Sequence, residues 1–488
     1  MNYSIIRNII GKLMLVTSGI MTIPLIFCIV YQEGLWNYLS FLIPIVLLVI
    51  IGLLFNLKKA KNTKIAVREA LIITASTWLI VALFGCLPLI ISGSYPNFFD
   101  AFFEMVSGFT TTGSSVLTGI EMEALPKSIQ FWRSFSHWVG GMGILVFVLA
   151  FIPESKEGSS MHILQAESPG PQVGKLVSKM QLSSRILYII YFALTLVLLL
   201  LLWLGPDKKM NFFNSLVYSI GTAGTGGFSI HADGIGYFSA YSQYVIAIFM
   251  IIFGINFSLF YLILIGNAKT ALKNEELRWY LCIIVIAVTC ITINIYSICQ
   301  NFEEAFRHSL FQVATIISTT GYSTVNFDLW PTFAKSMLLL VMFTGGCAGS
   351  TAGGMKMSRI VLIAKSSQKK IKNMISPRKV ETICMDGKPV SEATIDGVQS
   401  YTILYFVILI ICAIIISLDG FDVLTNITAS LTCISNVGPG LNMVGPAGTF
   451  KEFSNFSKFI LSIEMIAGRL ELFPILVLFY PKTWKRRV

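Results

Sequence analysis

Charge is what this chain has least of. Only 12% of its 488 residues are Asp, Glu, Lys or Arg, against 55% hydrophobic residues, and the mean hydropathy is +0.75. A soluble core does not need so many apolar runs of about 20 residues, so the chain reads as a polytopic membrane protein. Histidine is scarce as well. The four present are scattered, whereas a membrane enzyme would gather His, Asp or Glu at ligand spacing; no catalytic residues and no cofactor in this chain are expected. The nine cysteines are odd in number, lie mostly in apolar segments (Cys28, Cys86, Cys282, Cys290, Cys299, Cys347, Cys412) and form no Cys-x-x-Cys pair. Neither disulfides nor a cysteine-built metal site is expected. Long polar connections are also missing: none exceeds about 35 residues, too short for an independent folded domain.

The charges that exist are unevenly placed. The net charge is +11, which would raise the question of nucleic acid, but the basic residues cluster in alternate connections. Lys58, Lys59, Lys61, Lys64 and Arg68 form one group; Lys365, Lys369, Lys370, Lys372, Arg378, Lys379 and Lys388 form another; Lys482, Lys485, Arg486 and Arg487 close the chain. This is the positive-inside asymmetry of a membrane protein. It places these connections and both termini in the cytoplasm and makes anionic lipid, not nucleic acid, the expected neighbour. The apolar run at about 13–31 is long enough to span and has no small-residue cleavage site after it, so it is not read as a signal peptide.

What the chain does have is a repeated polar interruption between apolar segments. Ile316-Ile317-Ser318-Thr319-Thr320-Gly321-Tyr322-Ser323-Thr324 is the fullest copy. Thr111-Thr112-Gly113-Ser114-Ser115, Thr225-Gly226-Gly227-Phe228-Ser229 and the weaker Asn436-Val437-Gly438-Pro439 are the others. Thirteen residues before the glycines at 113, 227, 321 and 438 stand Asp100, Asn214, His308 and Thr425. Hydrocarbon tolerates such backbone only where it lines a water-filled path. A dehydrated cation needs oxygens in place of its water shell, and carbonyls from four loops can supply them. Glycine reaches the φ > 0 conformations that aim carbonyls inward and has no Cβ to block the way. Short helices before the loops (about 98–110, 212–222, 305–317 and 423–434) would point their negative ends at the same place. Packing of helices through small residues explains one Thr-Gly pair; it does not explain four at a constant offset.

The expected fold is therefore an all-α polytopic membrane protein of four parallel helix–pore-helix–filter–helix units around one pore, preceded by an accessory two-helix hairpin in 1–57 (about 13–31 and 37–56). The units are placed at 69–152, 184–266, 279–364 and 398–480. A secondary transporter built from broken helices predicts an inverted repeat and a buried carboxylate at mid-membrane, whereas these units repeat in parallel and such a carboxylate is scarce. The candidate filter residues are Thr111, Thr112, Gly113, Gly226, Gly227, Thr319, Thr320, Gly321, Asn436, Val437 and Gly438. In the second loop Gly227 is taken as the filter glycine, and the extra glycines of Ala223-Gly224-Thr225-Gly226-Gly227 leave open which one holds that position.

The inner segment of unit three reads Phe343-Thr344-Gly345-Gly346-Cys347-Ala348-Gly349-Ser350-Thr351-Ala352-Gly353-Gly354-Met355-Lys356. Each interior glycine costs a helix about 1 kcal/mol relative to alanine, so a broken helix with an intramembrane loop is expected. Gly345, Gly346, Gly349, Ser350, Thr351, Gly353 and Gly354 are assigned to a gate across the path. The stretch lacks Gly-Lys-Ser/Thr in register and has no soluble strand before it, which rules out a phosphate-cradling loop. Arg469 and Glu471 interrupt the last apolar run; an ionisable residue in the membrane is a functional candidate, and Arg469 is assigned to the gate. Asp100, Glu104, Arg133, His137 and His308 are expected on the outer face or the pore helices, without a sharper role.

These motifs, with Thr110-Thr111-Thr112-Gly113, Trp138-Val139-Gly140-Gly141-Met142-Gly143 and Asn436-Val437-Gly438-Pro439-Gly440, resemble the Trk/Ktr/HKT superfamily of potassium transporters over nearly the whole chain. The N-terminal hairpin makes the TrkH type the better match than the shorter KtrB type. The resemblance implies potassium uptake across the bacterial cytoplasmic (inner) membrane, with K+ held by the carbonyls of Thr111, Thr112, Gly226, Thr319, Thr320 and Val437. It further implies a homodimer with one pore per subunit, and a cytosolic nucleotide-binding regulatory subunit of the TrkA type. Coupling of K+ to Na+ or H+ in a symporter, and a less selective K+/Na+ permease, stay open as alternatives.

Overall fold

The computed structural model describes residues 1–58, 65–143, 180–377 and 381–484. Helices α1 (Tyr3–Ile20), α2 (Ile23–Val30) and α3 (Leu35–Asn56) make the N-terminal hairpin. The first helix starts ten residues earlier than its apolar run, because Asn2 caps it by accepting from Ile5 N–H, and it breaks where Pro24 opens the next. The legs touch closely at Gly11 and Gly52: a Cβ on Gly52 would lie 2.9 Å from the Gly11 carbonyl oxygen.

Four parallel units follow. Unit one comprises α4 (Val67–Gly85), α5 (Leu87–Ile91), α6 (Phe98–Phe109), α7 (Gly119–Ala124) and α8 (Lys127–Gly141). The end of its expected inner helix and the connection after it, residues 144–179, lie outside the described residues. Unit two comprises α9 (Met180–Trp203), α10 (Phe212–Ala223), α11 (Ala240–Phe253) and α12 (Phe257–Leu264). After the short α13 (Ala268–Leu272), unit three comprises α14 (Glu275–Ile295), α15 (Phe302–Ile317), α16 (Thr332–Thr344) and α17 (Met357–Ile375). A two-residue antiparallel pair, β1 (Cys384–Met385) with β2 (Lys388–Pro389), leads to unit four. That unit comprises α18 (Glu392–Ile416), α19 (Val423–Ser435), α20 (Asn455–Arg469) and α21 (Phe473–Phe479).

Ten spanning helices are expected from the apolar runs. Among the described residues six are long and apolar enough to cross alone, and α11 with α12, bent by 92°, adds a seventh if taken as one. The shortfall lies in the inner segments: those of units three and four are broken, and that of unit one leaves the described residues after Gly143. The basic stretch read as a connection from about 365 is helical to Ile375, because lysine and glutamine are good helix formers whatever their solvent.

The four pore helices are set by their starts. Asn97, Asn211, Asn301 and Asp422 each accept a backbone N–H of the first turn, the strongest class of N-cap. The third is one turn longer, and otherwise the helices occupy the expected ranges. They are deeply buried: every residue from Ala101 to Phe109 of α6 is buried. The surrounding helices instead present aliphatic side chains outward, such as Val285 and Ile293 on α14 and Ile410 and Ile414 on α18, as lipid contact requires.

Candidate functional site

The pore helices all end in one way. Thr111 N–H bonds to the Gly108 carbonyl (3.2 Å) and Thr112 N–H to that of Ser107 (2.9 Å). The same two bonds recur from Thr225 and Gly226 to Thr222 and Gly221, from Thr319 and Thr320 to Ile316 and Thr315, and from Asn436 and Val437 to Cys433 and Thr432. This is the Schellman termination, whose turning residue is normally glycine in the left-handed conformation. Here Thr111, Thr225, Thr319 and Asn436 take that conformation, with φ of 58°, 53°, 55° and 54°. A branched residue there is strained, and such strain persists only where the surroundings enforce it.

Two residues on, the chain turns left-handed again at Gly113, Gly227, Gly321 and Gly438, with φ of 83°, 82°, 90° and 106°. The alternation sets the carbonyls of Thr112, Gly226, Thr320 and Val437 against the corner glycines of neighbouring units. The four corners then touch in a closed cycle. A Cβ on Gly113 would collide with the Gly226 carbonyl oxygen, one on Gly227 with that of Thr320, and one on Gly321 with that of Val437. On Gly438 it would lie 2.8 Å from the oxygen of Thr112. The second loop's register is therefore resolved: Gly227 is the corner, while Gly226 supplies an oxygen and has His137 directly behind it. Thr225, absent from the sequence assignment, is the counterpart of Thr111.

The loops are held from behind. Glu104 and Arg133 form an ion pair with no exposure on either side chain. Glu104 accepts from Ser115 Oγ (2.9 Å) and Val116 N–H (3.1 Å), while the Arg133 guanidinium lies 4.3 Å from the Phe228 ring centroid. One pair thus supports the first and second loops together. Tyr218 takes the place of Glu104 in unit two, its hydroxyl 3.0 Å from Ser229 Oγ. His137 Nε2 accepts from Phe228 N–H (3.3 Å), and its Nδ1 is 2.7 Å from the Gly108 carbonyl. Asp100 pairs with Lys458 (2.6 Å), and His308 Nδ1 lies 3.0 Å from Thr324 Oγ1.

On the side of the pore-helix N-termini the ring opens into a cavity of about 130 Å³ lined by all four corner glycines, Phe228, Tyr322 and Pro439. His231 stands at its edge, its basicity lowered by burial more than Glu123 restores it, so the imidazole adds no fixed positive charge. Glu121 is held below the usual carboxylate range by hydrogen bonds from Lys451 and from Thr118 N–H.

On the other side lies a cavity of about 80 Å³ lined by Trp78, Gly141, Gly353, Lys356 and Arg469, among others. The chain between α16 and α17 crosses here, with left-handed corners at Gly345, Gly349, Gly354 and Lys356. Gly353 N–H donates to Thr319 Oγ1 (2.6 Å), which ties this loop to the ring itself. Gly346 and Gly349 pack on the break between α11 and α12, next to the Gly254 carbonyl and Asn256; Ser350 Oγ caps Cys347 O (2.6 Å). Arg469 donates to the carbonyls of Thr351 (2.9 Å) and Gly140 (2.6 Å) and to Thr111 Oγ1 (3.1 Å). Units one, three and four thus meet on one guanidinium, below the ring. Glu471 pairs instead with Arg359 of α17. Glu276, Asn256 and Trp78 were not among the residues expected here; none stands in a motif, and only Glu276, as an acid just inside a helix start, carried a faint signal.

A profile of the TrkH family, described as a cation transport protein, matches residues 39–486. The chain is 33% identical to the Trk system potassium uptake protein TrkH of Escherichia coli K12, over 99% of this chain and all of that one. It is 31% identical to the TrkH of Halomonas elongata over the full length of both. The crystal structure of the potassium transporter TrkH from Vibrio parahaemolyticus superposes with a TM-score of 0.88 at 29% identity, covering 99% of this chain and all of that one.

The Glu104–Arg133 pair generates a stability prediction. Removing one partner leaves a buried charge uncompensated, at a cost of about 3–5 kcal/mol, whereas replacing both with apolar residues is far less costly. Thermal unfolding in detergent should therefore rank Glu104→Leu well below the Glu104→Leu, Arg133→Leu double variant. Additive losses would contradict the burial of this pair.

Proposed function

The chain belongs to the TrkH family of cation transport proteins, and from that premise we propose how its geometry carries potassium. It is a multi-pass membrane protein of potassium uptake. The proposed path enters the cavity of about 130 Å³, where the ion sheds water. It passes the ring of Gly113, Gly227, Gly321 and Gly438, where carbonyls of Thr111, Thr112, Gly226, Thr319, Thr320 and Val437 replace the lost water. The observation that carries this reading is the closed cycle of glycine-to-carbonyl contacts: four loops of different sequence present oxygens at one level, with nothing bulkier than a hydrogen between them. The pore-helix C-termini add their negative ends. The selectivity rests on carbonyl geometry, as in other potassium-selective filters.

Below the ring, residues 345–354 and Arg469 are the proposed obstruction. Arg469 sets a positive charge beside the cation's path, and the loop fills the space beneath. Relief of the block is proposed to come from outside the chain. The relatives are named as parts of a Trk system, and α17 leads from the loop into a basic segment with Lys369, Lys370 and Lys372. That segment suits docking of a cytosolic nucleotide-binding subunit of the TrkA type. The positive-inside distribution supports insertion in the cytoplasmic membrane with both termini in the cytoplasm, and a homodimer is the proposed assembly. Uptake driven by membrane potential is preferred over Na+ or H+ coupling, because the path described needs no second ion.

Two predictions follow from this path. Gly321→Ser puts a side chain against Val437 O and Pro439, so the ring must widen; the K+ over Na+ preference in liposome flux should fall roughly tenfold, about 1.4 kcal/mol of discrimination. An unchanged ratio in a folded variant would refute the filter. Arg469→Ala removes a charge a few ångströms from the ion's path and should raise K+ flux through the protein alone by roughly an order of magnitude. Parental flux in that variant would remove Arg469 from the gate.

A further inference from the structure

Glu276 lies off the pore axis, on the second residue of α14, and is 3% exposed. A single carboxylate oxygen, Oε1, accepts two backbone N–H groups: Ala348 at 2.7 Å and Ser358 at 2.9 Å. These donors are ten residues apart and stand on opposite shoulders of the loop between α16 and α17. Ser358 is the second residue of α17, so its N–H is among the donors a helix leaves unsatisfied at its start. A carboxylate there also meets the positive end of a 19-residue helix. Neutral backbone bonds tie the same shoulders as well, Cys347 N–H to Gly254 O, Phe257 N–H to Gly349 O, and Met357 N–H to Gly346 O, at 2.9–3.0 Å, and the Arg359–Glu471 pair holds the α17 side to unit four. Bonds to an ionised acceptor are roughly twice as strong as the neutral ones.

Glu276 is itself firmly placed. Asn274 caps α14 through Leu277 N–H (2.9 Å). Asp386, at the tip of the β1–β2 hairpin, accepts from Asn274 Nδ2 (2.8 Å) and Glu275 N–H (2.7 Å). Lys365 of α17 binds Glu275 Oε2 (2.6 Å) and the Cys384 carbonyl of the hairpin (2.7 Å). The hairpin, the start of α14 and the body of α17 form one block, and Glu276 reaches from it to the loop.

We infer that Glu276 is a positioning residue that clamps both shoulders of this loop, so that the loop and the start of α17 cannot separate while the clamp holds. The inference rests on the proposed reading of 345–354 as the obstruction and names the side chain that keeps it in place. A residue that merely caps α17 would protect Ser358 and leave Ala348 indifferent; a clamp protects both.

Hydrogen exchange of the full chain in lipid nanodiscs, read with K+ flux in liposomes, separates the two. Glu276→Ala removes both acceptor bonds. Peptides covering 345–350 and 357–360 should both exchange roughly tenfold faster, since local opening is what exchange reports. Peptides containing Gly113 or Gly321 should keep their rates. Flux should rise several-fold with an unchanged K+ to Na+ ratio. Glu276→Gln keeps the shape and an acceptor oxygen but loses the charge, and should fall between parent and alanine in both readouts; it remains informative if the alanine variant does not fold. Faster exchange confined to 357–360, or parental exchange throughout in Glu276→Gln, would overturn the clamp. Faster exchange at both shoulders with parental flux would uphold the clamp and overturn the obstruction instead.

Discussion

At Gly113, Gly227, Gly321 and Gly438 the backbone of one unit rests against a carbonyl of the next, and no other residue type fits there. That steric constraint organises the molecule. Each glycine can occupy its place only if the preceding helix stops abruptly and turns back. The chain achieves this with the same pair of terminating hydrogen bonds four times, at the expense of holding three threonines and an asparagine left-handed. For L-residues that conformation costs roughly 1–2 kcal/mol each. It persists because the helices are anchored at their other ends by Asn or Asp caps and from behind by Glu104–Arg133, Tyr218 and His137.

The breaks in the inner helices belong to the same design. Unit two breaks at Gly254-Ile255-Asn256, unit three over 345–356, and unit four at Glu471 and Leu472, both with positive φ. Straight helices would fill the space below the ring. Broken ones leave carbonyls and amides that need partners, and the partners are one another: Gly254 O with Cys347 N–H, Gly349 O with Phe257 N–H, and Arg469 with Gly140 and Thr351. Irregular backbone at this depth is stable because it is satisfied by protein, not by lipid.

Much of this was legible in the sequence for identifiable reasons. Spans announce themselves by length and hydropathy, and pore helices by a polar start, a glycine end and a constant spacing. The long glycine run of unit three is unreadable as continuous helix. The bend at Gly254 was not legible, because one glycine in an apolar run is usually tolerated inside a helix. The break at Glu471-Leu472 was hidden by good helix formers whose conformation is imposed by the fold. Glu104 and Arg133 are 29 residues apart, and nothing local joins them. Glu276 looked like an ordinary acid in a first helical turn, since its two donors lie more than 70 residues away. The choice between Gly226 and Gly227 needed the neighbouring loop, because the contact that decides it comes from Gly113.

The proposed path requires the four glycine corners to enclose an ion. Crystals of the protein grown in rubidium or thallium salt, with the anomalous signal mapped along the pore, test it most directly. The expected result is a peak on the axis, within coordinating distance of the carbonyl oxygens of Thr112, Gly226, Thr320 and Val437, and its loss when sodium replaces the heavier ion. An axis without density at that level, with the ion bound elsewhere in the membrane region, would contradict it.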